Sequence, residues 1–155
     1  MKGNRFQLLS GFLQVSTGKK IHKLKWELSE TVHSCTFKQL APWITKLLKS
    51  DSEFSSLIIT KMDKRRCLSL WSRHGRIQAF FVFDLVADGE FETAVRQLFE
   101  SKGIRPEKEF VSQTRNVLFP LKRADLESPH FARQLLTASC GLLDDQSFEV
   151  DYHSK

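Results

Sequence analysis

The amino-acid sequence predicts an α+β fold: a single domain over residues 1–155, built on a mainly antiparallel meander with helices packed on one face. Three observations carry that expectation. Between residues 56 and 85, strand-like runs follow one another with only tight turns between them. On both sides of this block, apolar residues recur at helical spacing. The composition, 41% hydrophobic and 27% charged with 7 Gly and 4 Pro in 155 residues, is that of a soluble globular chain. A chain of this length buries on the order of 70% of its unfolded surface, so it needs neither disulfide nor metal to fold. Collagen-like, low-complexity and disordered readings are excluded by the same proportions.

The elements follow in order. Phe6, Leu9, Phe12 and Leu13 have the spacing of a helical turn or two. Residues 22–28 place Leu24, Trp26 and Leu28 on one side and Lys23, Lys25 and Glu27 on the other, the alternation of a half-buried strand. From Thr36, the positions Phe37, Leu40, Ile44, Leu47 and Leu48 define an amphipathic helix, and Pro42 is expected to kink it or mark its start near Leu40. Strands are expected at Ser56–Met62, Cys67–Ser72 and Ile77–Leu85, with Gly75 in a hairpin turn. In the last of these Ile77, Ala79, Phe81, Phe83 and Leu85 share one face while Phe80 and Val82 lie on the other, so the strand should be central. Phe91, Val95, Leu98 and Phe99 give a second helix, stopped at Gly103. A strand at Asn116–Phe119 should end at Pro120. Asp125, or Ser128 followed by Pro129 at the first helical position, caps a third helix that runs to Gly141, and Phe148–Tyr152 alternates as a final strand.

Cys35, Cys67 and Cys140 are odd in number, widely spaced and without a Cys-x-x-Cys pair, which argues against a disulfide framework or a zinc ribbon. The first residues lack the pattern of a secretory signal, and no apolar run approaches the roughly 18 residues of a membrane span. A cytoplasmic protein is the expectation. Charge is unevenly distributed. Residues 1–76 carry 15 basic and 5 acidic side chains, net +10, whereas residues 77–155 carry 9 and 13, net −4. If that division survives folding, one face suits an acidic partner.

The residues that could form such a site are Lys61, Lys64, Arg65, Arg66, Arg73 and Arg76, which fall in the two turns bounding the Cys67–Ser72 strand. Trp71 between them could stack on a base, as aromatics set among basic groups do in single-strand binders. Equally, Trp71 is a core residue and the arginines blunt hairpin ends against edge pairing. The five histidines lack metal-ligand spacing, so no metal and no cofactor is expected. His33 and Cys35 are two apart in what reads as a polar loop, but nucleophile and base normally come from distant segments. Glycines are too few and too scattered for a phosphate-cradling loop. No catalytic residues are assigned, and the sequence reads as that of a protein without enzymatic activity.

Helix, three meandering strands, helix, strand, helix over residues 36–143 is an order that resembles the small α+β domains related to type III secretion chaperones. The likeness is carried by three stretches. Phe91–Ile104 looks like that family's helix running into a glycine turn, Asn116–Leu121 like its strand ending in proline, and Phe131–Leu142 like its last helix. The departures are Ile104 where the family has an aromatic, the basic net charge, and two extensions, residues 1–35 and 144–155, that add a strand each. The resemblance implies a non-catalytic module that dimerises and captures an extended peptide along apolar grooves. With 13 Phe and no catalytic constellation, the sequence independently points to a protein or peptide partner and a homodimer. Nucleic-acid binding through the basic cluster is the alternative reading, and a small enzyme with an unrecognised site is the second alternative.

Overall fold

A computed structural model describes residues 28–61, 67–140 and 148–155. Among them the chain runs β1 (Leu28–Cys35), α1 (Phe37–Leu48), β2 (Phe54–Lys61), β3 (Cys67–Arg73), β4 (Arg76–Asp84), α2 (Gly89–Ser101), β5 (Lys108–Val111), β6 (Thr114–Leu121), α3 (Arg123–Glu127), α4 (Pro129–Cys140) and β7 (Phe148–Ser154). The strands form one antiparallel sheet in the order β1-β7-β2-β3-β4-β6-β5. The fold is α+β. The expected helical turn near Phe6–Leu13 and residues 22–27 of the expected first strand lie outside the described residues.

Helix α1 starts at Phe37 rather than near Leu40, and Pro42 sits inside it. Its first turn is closed by Gln39, whose Oε1 accepts the Thr36 N–H at 2.8 Å while its own N–H donates to the Thr36 carbonyl at 3.0 Å. That closure and the burial of Leu40, Ile44 and Leu47 offset the one helical hydrogen bond that proline removes.

The meander forms as expected. Arg73 pairs with Arg76 across a two-residue turn in which His74 (φ 50°) and Gly75 (φ 80°) are both left-handed, the arrangement that matches the twist of a hairpin. Strand β4 lies between β3 and β6 and buries both faces. Leu85 is a correction: it has left the strand and is exposed in the turn before α2.

Three further differences concern the ends of the sheet. Strand β6 continues through Pro120 instead of stopping there. Its neighbour β5 begins opposite Leu118, so beyond that point β6 is an edge, where a missing backbone donor is tolerated. Strand β1 lies where a polar loop was expected, and β5 in a stretch to which the sequence assigned no element. The expected third helix is two, α3 and α4, divided at Ser128 with Pro129 in the first position of α4. The last strand, β7, is inserted between β1 and β2.

Two apolar clusters result. One gathers the buried residues of all four helices with alternate strand residues, among them Leu57, Leu70, Phe81, Phe83, Val117, Phe119 and Val150. Phe81 is its hub, with the rings of Phe83, Phe91, Phe99 and Phe119 within 5.7–6.3 Å of its own. The second, Phe54, Ile58, Trp71, Phe80 and Leu118, is built from strand residues alone. No described helix is long and apolar enough to cross a membrane.

Candidate functional site

The described residues that the sequence singles out lie on β3 (Trp71, Arg73) and at the adjoining ends of β2 (Lys61) and β4 (Arg76), and the sheet separates them. Lys61 and Cys67 lie at one end of the sheet, Arg73 and Arg76 at the other, six residues or about 20 Å away. Lys64, Arg65 and Arg66 lie outside the described residues. Lys61 is only 4% exposed, on the parity of Leu57 and Ile59 rather than on an open surface. Arg76 reaches Glu107, its Nη2 2.5 Å from Oε1, while Gln78 Nε2 donates to Oε2 of the same carboxylate at 2.9 Å. Burial alone would raise the Glu107 carboxyl, but the bonds from Gln78 and Arg76 outweigh it and hold the group below the usual range.

Of the two readings of Trp71, stacking surface or core, its surroundings favour the core. It is 1% exposed, and its ring lies against Phe80 at 4.9 Å and Phe54 at 5.6 Å. Its parity along β3 puts it with Cys67 and Arg73, so an indole between basic turns becomes part of the second cluster.

His33 and Cys35 are directed apart. The pairing of β1 with β7 shifts register between Val32 and Cys35, and this irregularity places Cys35 with Phe148 in the first cluster. Its thiol is buried, donates to the Thr36 carbonyl at 3.6 Å, and is pushed up by desolvation, the opposite of an activated nucleophile. His33 Nδ1 is 3.3 Å from Glu149 Oε2 on the other side of the strand. Among the described residues no three His, Cys, Asp or Glu side chains are grouped to hold a metal.

What the sequence reading missed is the β1 edge. Five of its eight residues, Leu28, Ser29, Thr31, His33 and Ser34, are exposed, and among the described residues it pairs only with β7. A ladder of side-chain contacts fastens it on one face. Ser29 Oγ lies 3.0 Å from His153 Nδ1, Thr31 Oγ1 donates to Asp151 at 2.8 Å, and the His33 contact to Glu149 is the third rung. On the other face, Glu30 accepts from Lys46 Nζ at 2.6 Å, and that ammonium sits over the rings of Tyr152 (4.7 Å) and Trp43 (5.3 Å). The available signal was the alternation of Ser29, Thr31 and His33 with Glu30 and Val32, which is strand-like in period but too polar to stand out.

The opposite edge is built differently. Strand β5 has four residues, and Glu109 within it is held by Arg96 of α2. Arg96 also donates to Glu92 at 2.7 Å, and Arg115 of β6 donates to the same carboxylate at 2.8 Å. Burial opposes ionisation of Glu92, but the bonds from Arg115 and Arg96 prevail and hold it below the usual carboxylate range. Near this edge Val86 stands 94% exposed on a turn fixed by Asp84, whose carboxylate accepts the Val86 and Ala87 N–H groups at 2.9 and 2.8 Å.

No family model, no curated protein and no solved structure matches this chain.

Proposed function

We propose that this protein is a non-catalytic binding module, secretion-chaperone-like in its use, that accepts an extended protein segment as an added strand beside β1. The observation that carries the reading is the β1 edge itself. Among the described residues this long exposed strand pairs only with β7, a position that suits the addition of a further strand, while the side chains that fasten it to β7 and α1 keep it from moving away. In this reading the chain is one domain with its helices gathered on one face of the sheet, and the strand it accepts comes from a second copy or from an extended peptide of another protein.

Two measurements test this together. Light scattering over a concentration series reads self-pairing as twice the 18.0 kDa chain mass. Fluorescence anisotropy with a labelled peptide copying residues 28–35 reads capture of an extended strand. The double variant Leu28→Lys with Ser34→Lys places charges that an incoming strand would have to desolvate. It should weaken either association at least about tenfold and leave the melting temperature within about 2 °C. A monomer that ignores the peptide, or a variant that associates as the wild type does, overturns the reading. Oligonucleotide binding that falls steeply from about 50 to 200 mM salt would transfer the function to the basic groups instead.

A further inference from the structure

Strand β5 is fastened by charge more than by burial. None of its four residues is fully buried: Phe110 lies half-buried against the second cluster, and Val111 is 58% exposed. Among the described residues it pairs only with β6. Carboxylates tie it to two other elements. Glu107, just before the strand, accepts from Arg76 Nη2 at 2.5 Å and from Gln78 Nε2 at 2.9 Å, both on β4, and Glu109 accepts from Arg96 of α2. Arg96 is itself held by Glu92, which Arg115 of β6 also binds. The charged groups around these carboxylates are therefore Arg76, Arg96 and Arg115, with Lys108 beside Glu107 in the same segment. On either side of the segment the chain is fixed. The Ile104 N–H donates to the Phe99 carbonyl at 2.9 Å and its side chain packs on the first cluster, while Arg115 is bonded to Glu92.

We propose that residues 105–113 form an acid-released flap: proton uptake at Glu107 and Glu109 detaches β5 while the rest of the sheet stays folded, and the β6 edge from Arg115 to Leu118 is uncovered. Each carboxylate that takes up a proton exchanges a charge-assisted bond for a weaker neutral one, and little apolar burial in β5 opposes the local opening. The direction in pH follows from the folded state. Glu107 and Glu92 are held below their ordinary value near 4.5, so their bonds are complete above that pH and are lost as pH falls through the folded values. At neutral pH the flap is closed and β6 is covered; in acid the same edge is exposed with its hydrogen-bonding groups unpaired by β5. This inference does not rest on strand addition at β1, and either one survives failure of the other, because the flap lies at the opposite edge and its test involves no partner.

The test is amide hydrogen exchange of the full chain, read residue by residue by NMR and corrected for the intrinsic pH dependence of exchange. The Glu107 N–H donates to the Leu118 carbonyl at 2.8 Å and reports the flap, whereas Leu57 and Leu70, on strands paired on both sides, report the sheet. From about pH 6.5 to about pH 4 the protection of Glu107 should fall at least about tenfold further than that of Leu57 and Leu70. A Glu107 amide that keeps its protection, or loses it only in step with Leu57 and Leu70, overturns the proposal. The chain carrying Glu107→Gln and Glu109→Gln is neutral at both positions. It should show the open level already at about pH 6.5, with a Glu107→Gln amide whose protection follows that of Leu57 and Leu70 as the pH falls. A variant with the wild-type protection and the wild-type pH profile is the contrary result. If the variant does not fold, the wild-type profile decides.

Discussion

The two edges of the sheet meet the same physical problem in opposite ways. An edge strand exposes unpaired backbone groups and invites further pairing. Strand β5 suppresses the invitation: it has four residues, and Glu109 is tied through Arg96 to a network that also holds Glu92 and Arg115. Strand β1 is twice as long and its fastening faces inward, to β7 and to Lys46 of α1. The difference teaches that exposure alone does not identify a docking edge. Among the described residues both edges are exposed, and β1 differs from β5 in its length and in the inward direction of its anchoring, the two features on which the proposed strand addition rests.

The comparison can be broken most forcefully from the core beneath β4 and β6. Phe81→Ala removes the ring on which Phe83, Phe91, Phe99 and Phe119 converge, and it should cost about 3–5 kcal/mol in denaturant unfolding. A loss under about 1 kcal/mol would mean that this half of the sheet does not depend on the aromatic hub.

A smaller effect sharpens the contrast at β5. Glu92→Gln removes the carboxylate shared by Arg96 and Arg115, groups about a third exposed, and should cost about 1–2 kcal/mol at neutral pH. Because the folded state holds Glu92 below its ordinary value near 4.5, its contribution is complete above that pH and is lost as pH falls through the folded value. Wild-type stability should therefore decline below about pH 4.5 more steeply than that of the variant. Parallel acid profiles would remove Glu92 from the account.

The elements read correctly from the sequence are those whose residues face an interior on their own. Helices α1, α2 and α4 show the apolar spacing of one buried side, and β4 is apolar on both faces. Strands β1 and β5 were missed because an edge strand is held by one neighbour and tolerates polar residues on both sides. Leu28–Cys35 holds only two large apolar residues, and Lys108–Val111 is half charged. The insertion of β7 between β1 and β2 is a long-range choice with no local signature. The candidate site shows the same limit. Trp71 among basic residues reads equally as a stacking surface or as core, and only its neighbours Phe54 and Phe80 across the sheet decide for the core.

Hydrogen–deuterium exchange bears most directly on the claim that β1 is the docking edge. Amides of residues 28–35 and 108–111 are compared in the free protein and in the presence of saturating 28–35 peptide. Strand addition at β1 predicts slowed exchange confined to residues 28–35, with residues 108–111 unchanged. Protection at 108–111 instead, or at neither edge while the peptide is bound, would contradict the account.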